Sequence, residues 1–90
     1  MESETLKEVT VVNDLGFHAR AAAQIAKIAQ NASAGIWLAK DGDKVDASSI
    51  IDILTLQCAK GARVVFSVDD ESDAAILADI VRIVEDGFGE

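Results

Sequence analysis

The sequence predicts an α+β fold, a two-layer open-faced β-sandwich. Three helices cover one face of a four-stranded antiparallel sheet, in the order β-α-β-β-α-β-α. Three observations predict it. Four short segments alternate apolar and polar residues with a period of two, the mark of strands with one buried face. Three other segments carry helical apolar spacing or helix-start signals. The dipeptide Asp41-Gly42 is a hairpin turn that makes its flanking strands antiparallel neighbours. One-sided strands and amphipathic helices bury their apolar faces together by stacking in two layers.

The first strand is expected over Leu6 to Val12, with Val9 and Val11 alternating against Glu8 and Thr10. A loop follows from Asn13 to Phe17. The first helix is expected from Ala19 to Gln30, its narrow apolar stripe made by Ala22, Ile25, Ala26 and Ala29. Asn31 to Gly35 ends it. Ile36 to Lys40 reads as the second strand, Ile36 and Leu38 on one face and Trp37 on the other. Lys44 to Ala47 reads as the third. Ser49 and Asp52 have capping-box spacing at the start of a short helix, Ile50 to Leu56. The fourth strand spans Arg63 to Val68, with Val64, Phe66 and Val68 inward. Acidic residues from Asp69 to Asp73 signal the last helix, which carries Leu77, Ile80, Val81 and Val84 and has Gly87 as its C-terminal cap. Trp37 and Val65 would meet on the open sheet face if their strands are neighbours.

With 90 residues the chain makes one small domain with a single core. No apolar run approaches the ~18 residues that span a membrane. The start, Met1-Glu2-Ser3-Glu4, is acidic and unlike a signal peptide. A single cysteine, Cys58, excludes an internal disulfide and fits the reducing cytoplasm. A net charge of −8 argues against nucleic acid as a partner. There is no Cys/His cluster for a metal and no Gly-rich phosphate loop, so neither a metal nor a cofactor is expected. The chain is expected to be a monomer.

The chemistry-bearing stretch is Gly16-Phe17-His18-Ala19-Arg20. It holds the only histidine, placed at or just before a helix N-terminus. Unpaired amides and the positive end of the helix dipole stabilise a phosphoryl group there. Arg20 offers a planar fork of donors to phosphoryl oxygens. Charge is also polarised: residues 15–40 hold Arg20, Lys27 and Lys40 and no acid, +3 in a chain of −8. That patch suits an anionic group or an acidic partner. Taken alone, a lone histidine at a helix start is more often a cap, a surface residue or a packed ring.

The motif Gly16-Phe17-His18-Ala19-Arg20, and the block Asp46-Ala47-Ser48-Ser49-Ile50-Ile51-Asp52-Ile53-Leu54-Thr55-Leu56, resemble those of HPr, the histidine-containing phosphocarrier family of the bacterial sugar phosphotransferase system. The likeness runs from about Glu8 to Glu85. It implies a single domain over residues 1–90 with a matching core of about 6–86, the open-faced sandwich expected above. It implies a cytoplasmic carrier with a transient phosphohistidine rather than an independent turnover enzyme. His18 would be phosphorylated on Nδ1 by phosphorylated enzyme I and would pass the group to a IIA protein, with Arg20 steadying it. Phe17, Ala19, Lys27, Ile50, Ile51 and Leu54 would form the surface that docks both. Ser49 matches a residue that a serine kinase phosphorylates, and a phosphorylase relieves, in some members; helix capping is its other reading. The sequence departs from the family motif at Ala21, where Pro is usual, at Phe17, where Leu is usual, and at Asp52, where some members have Lys. The resemblance leaves the relay serving either sugar uptake or the related nitrogen-linked branch. A second function stays open beside the carrier: a regulatory binding module of the nitrogen branch or a paralogue that controls partner proteins through the same surface according to its phosphorylation state.

Overall fold

Alternation along the strands does what the sequence leads one to expect. In the computed structural model, which describes residues 5–90, the sheet is built from β1 (Leu6–Thr10), β2 (Ile36–Lys40), β3 (Asp43–Asp46) and β4 (Arg63–Val68), in the order β1-β4-β2-β3 with every pairing antiparallel. The acidic start, residues 1–4, lies outside the described residues. The helices are α1 (Ala19–Ala29), α2 (Ile50–Thr55) and α3 (Ala74–Glu85), with a 3₁₀ turn on either side of α3 at Glu71–Asp73 and Gly87–Gly89.

Register brings Val9 opposite Val64 and Leu38 opposite Phe66. These inward residues meet Ile25 and Ala26 of α1, Ile53 of α2, and Leu77, Ile80 and Val84 of α3 in one core. Alanines at 22, 26 and 29 of α1 are buried, so that helix approaches its neighbours through small side chains. The hairpin has Lys40 paired with Asp43, and Asp41 and Gly42 both take positive φ, 53° and 88°. That is a type I′ turn, whose twist matches the strands it joins.

Boundaries shift by one or two residues from the expected ones. β1 ends its regular ladder at Thr10 rather than Val12. Val11 stays buried but exchanges hydrogen bonds with Ala62 and Gly61 beyond the end of β4, and Val12 is exposed. β3 starts and stops one residue earlier than Lys44 to Ala47, with the Ala47 amide still bonded to the Ile36 carbonyl at 2.9 Å. Gln30 and Leu56 are the C-caps of α1 and α2 rather than helical residues. On the open face β2 and β4 are indeed neighbours, yet Trp37 is not bare. Its Nε1 donates to Asp69 at 2.9 Å and the Lys44 ammonium lies 5.3 Å from its ring centroid.

Both ends of the six-residue α2 are tied down. Ser49 Oγ accepts from the Asp52 amide at 3.2 Å, one half of the expected capping box. Lys40 Nζ donates to the Leu56 and Gln57 carbonyls at 2.9 Å each, closing the C-terminal end where carbonyls lack partners. Ser49→Ala is expected to cost about 1 kcal/mol of stability, read as a lower urea midpoint with an unchanged slope.

One acidic residue before α3 does something other than expected. Asp70 caps the 3₁₀ turn by accepting from the Ser72 amide. Asp73, the N-cap of α3, makes no capping bond of its own. It reaches instead across to the loop after α1, accepting from the Ser33 amide at 2.8 Å and the Ala34 amide at 2.9 Å. Those bonds hold its carboxyl below the usual carboxylate range, Ser33 first and Ala34 second, against the opposing pull of burial. A carboxyl lowered on folding binds fewer protons in the native than in the unfolded state. Its stabilisation is therefore present above the unfolded pKa and is lost as pH falls through the folded one. Urea midpoints measured from pH 5 down to pH 2 should fall more steeply in the wild type than in Asp73→Asn, and the variant should be the less stable at pH 7.

Candidate functional site

The site is assembled by one loop, Asn13–Phe17, that carries the chain from β1 into α1. The Gly16 amide donates to the Asn13 carbonyl at 3.1 Å, closing a four-residue turn. The buried Asn13 side chain reinforces it, its Nδ2 donating to the Gly16 carbonyl at 2.7 Å. Gly16 has φ of +63°, and its backbone lies so close to the Cys58–Ala59 segment that a Cβ built there would be 2.4 Å from the Cys58 carbonyl oxygen. The Phe17 amide donates to that same carbonyl at 2.8 Å. These contacts fix where the next residue, His18, leaves the loop.

His18 is the N-cap residue of α1, in extended conformation, and its carbonyl accepts the first helical bond from Ala22 at 2.8 Å. Its side chain makes no capping bond and no acidic residue stands in the first turn. The first amides of α1 thus keep their capacity for an outside acceptor. The imidazole is about a quarter exposed and turns toward Glu90, with Nε2 2.6 Å from Glu90 Oε2. An ionised carboxylate only accepts, so the ring donates through Nε2. The other oxygen of Glu90 accepts from Asn13 Nδ2 at 3.3 Å. The His18 hydrogen bond is the main cause holding the Glu90 carboxyl below the usual range, with Asn13 and the charge of Arg20 adding to it against burial. Asn13 Oδ1 is buried without a hydrogen-bond partner among the described residues.

Arg20 and Ala19 are exposed in the first turn of α1, and Lys27 is exposed two turns on. On α2, Ile50, Ile51 and Leu54 are exposed, Ile51 to 73%. The two helices touch, so these residues lie on adjoining elements. Phe17 does not belong to that surface. It is only 4% exposed, its ring centroid 6.2 Å from Phe66 and 5.7 Å, edge to face, from Phe88. Its bulk goes into the core and supports the loop from beneath, a correction to its expected place as a contact residue. Leu15 is exposed in its stead, to 69%, beside a shallow hollow of about 230 Å³ that Leu15, His18, Gln57, Cys58 and Ala59 help to line.

Cys58 is buried, and burial pushes its thiol up, as expected of a small hydrophobe rather than a reactive thiolate. Asp14, at the tip of the loop, pairs with Lys60 at 2.7 Å, and that bond holds its carboxyl below the usual range. Among the described residues no group of three His, Cys, Asp or Glu could hold a metal ion, and no helix is long and apolar enough to cross a membrane. Glu90 was not legible as a site residue, because 72 positions separate it from His18 and nothing in its local sequence marks it. Asn13 carries a weak signal, an asparagine opening a turn that a glycine closes.

A family model described as the PTS HPr component phosphorylation site matches residues 5–86. The phosphocarrier protein HPr of Cupriavidus necator is 29% identical over 84 residues, covering 93% of this chain and 94% of that protein. The phosphocarrier protein NPr of Klebsiella oxytoca is 33% identical over 88 residues, covering 96% of this chain and 98% of the relative. Among solved structures, HPr-C-His from Thermoanaerobacter tengcongensis superposes with a TM-score of 0.89 at 32% identity, over 100% of this chain and 98% of that one. The loop that delivers a histidine to a helix N-terminus, the four-stranded order and these likenesses agree: the chain belongs to the HPr family of phosphocarrier proteins.

Proposed function

We propose that this chain, as a single cytoplasmic domain, accepts a phosphoryl group from phosphorylated enzyme I on His18 Nδ1 and passes it to a histidine of a IIA-type protein in sugar uptake. The observation that carries this reading is the presentation of His18. Its ring stands partly exposed at a helix N-terminus that has neither a side-chain cap nor an acidic residue in its first turn. Nε2 is occupied by Glu90, which leaves Nδ1 to attack phosphorus. The helix amides and the exposed Arg20 guanidinium then meet the phosphoryl oxygens.

Positioning and charge stabilisation supply most of the catalysis in such a transfer. A carrier must also release its group and its partners. The exposed apolar residues Ile50, Ile51 and Leu54 of α2, with the exposed Ala19, Arg20 and Lys27 of the adjoining α1, offer a small mixed surface suited to a brief dock. Ser49 caps α2 at the edge of that surface. A regulatory phosphate there would gain from the helix N-terminus and lose to Asp46 and Asp52 beside it.

A second reading places the carrier in the nitrogen-linked branch, and the likeness to NPr favours it. Both are tested by following labelled phosphoenolpyruvate through enzyme I of either branch. Label should appear on this chain first and then on a IIA protein, faster with the cognate pair. Label that enters the chain and never leaves would overturn the carrier in favour of a regulatory binding module.

A further inference from the structure

We infer that Glu90 is a positioning residue for His18: anchored by Asn13, its carboxylate keeps the proton on Nε2, presents Nδ1 as the nucleophile and steadies the positive ring that phosphoryl transfer creates. This rests on the reading of His18 as the phosphorylated residue.

The geometry is specific. One carboxylate oxygen takes the imidazole at 2.6 Å and the other takes the Asn13 amide at 3.3 Å, so the group is held at both ends. Asn13 is itself buried and fixed by its bond to the Gly16 carbonyl, which makes the anchor part of the loop that aims His18. A carboxylate that orients a histidine ring in this way also fixes which nitrogen carries the proton. Arg20 lies near enough to act on Glu90 by charge, and Glu90 thus joins the two basic residues of the site.

The step balances as follows. The Nδ1 lone pair of His18 forms the new N–P bond while the bond from phosphorus to the donor's histidine breaks, its electron pair returning to the donor. No proton leaves His18. The ring keeps its Nε2 hydrogen and gains a positive charge, which lies against the Glu90 carboxylate. In onward transfer the N–P bond breaks and its pair returns to Nδ1, so the leaving group is a neutral imidazole with its proton already in place. A phosphoimidazole is labile when its far nitrogen is protonated, and Glu90 favours that form. It tunes the carrier toward release.

The test compares wild type, Glu90→Gln and Glu90→Ala in the full chain, with thermal melts confirming that all three fold. Glutamine keeps an oxygen acceptor and removes the charge; alanine removes both. In nitrogen-15 NMR of the unphosphorylated protein, the His18 Nε2 proton should be protected from water exchange in the wild type and lose that protection in Glu90→Ala. After phosphorylation by enzyme I, spontaneous loss of the phosphoryl group at pH 7 should slow roughly three- to tenfold in Glu90→Ala, as removal of a partly exposed charge-assisted hydrogen bond allows, and should also slow in Glu90→Gln. Unchanged proton protection and unchanged hydrolysis in Glu90→Ala would overturn the role of Glu90 while leaving the carrier reading intact. A wild type that enzyme I cannot phosphorylate would overturn the reading beneath it.

Discussion

His18→Ala is expected to take up no phosphoryl group from phosphorylated enzyme I while keeping its fold. No other side chain in the site can replace the nucleophile. His18 is the only histidine in the chain, and the nearest thiol, Cys58, is buried and pushed toward its protonated form. The fold should persist because the imidazole makes no capping bond to α1 and is not among the core side chains. The backbone amide and carbonyl of residue 18, which bond Gly16 and Ala22, are kept by alanine. A far-ultraviolet spectrum and melting curve close to wild type, with no label after incubation with phosphoenolpyruvate and enzyme I, is the expected pair of results. Arg20→Ala should retain uptake at a reduced rate, since the role proposed for Arg20 is to stabilise the group and not to bond it covalently.

Gly16→Ala is expected to have the largest effect on stability of any single methyl added to this loop. At φ of +63° an alanine is strained, at a cost on the order of 1–2 kcal/mol. Its Cβ would also lie 2.4 Å from the Cys58 carbonyl oxygen and 2.9 Å from the Ala59 Cα. Both are backbone atoms, so the loop must move, and overpacking of this kind costs another ~1–3 kcal/mol. A combined loss of about 3 kcal/mol corresponds to a fall in Tm of roughly 12–24 °C for a domain of this size. The movement would also break the 2.8 Å bond from the Phe17 amide to Cys58 that sets the exit angle of His18. Phosphorylation should therefore slow even in the folded fraction. Gly42→Ala serves as the control: it shares the positive φ, 88°, but has open space around it and lies in the hairpin turn. Its effect should be the smaller, and phosphorylation should proceed normally.

The contrast between these two glycines shows what local sequence reveals. Asp41-Gly42 advertises its turn, because a two-residue connection between alternating strands needs positive φ at both positions. Gly16 advertises only a loop. Its close approach to Cys58 joins segments 42 positions apart, and no local pattern encodes that. The same holds across the site. The place of His18 at the start of α1, with Arg20 in the first turn, was legible because helix starts are local. Glu90 on His18, Lys40 on the end of α2, and Asp73 on the loop after α1 were not, because each is a long-range polar contact. Asp73 misled for a physical reason. An acidic residue before a helix is favoured by that helix's own dipole, and the sequence carries no sign that unpaired amides at Ser33 and Ala34 claim it instead. Phe17 misled similarly: its neighbours in sequence are candidate site residues, but its neighbours in space are Phe66 and Phe88. The order of elements along the chain and the β2–β3 hairpin, by contrast, followed from local pattern, with errors confined to the ends, where β1 leaves the regular ladder for the carbonyl of Ala62; the placing of β4 between β1 and β2 did not.

Intact mass after incubation with phosphoenolpyruvate and enzyme I tests the central claim most directly. One added phosphoryl group, about 80 Da, lost in acid, stable in base and absent from His18→Ala, is the expected result. An unchanged mass, with the same enzyme I charging a control carrier, would contradict it.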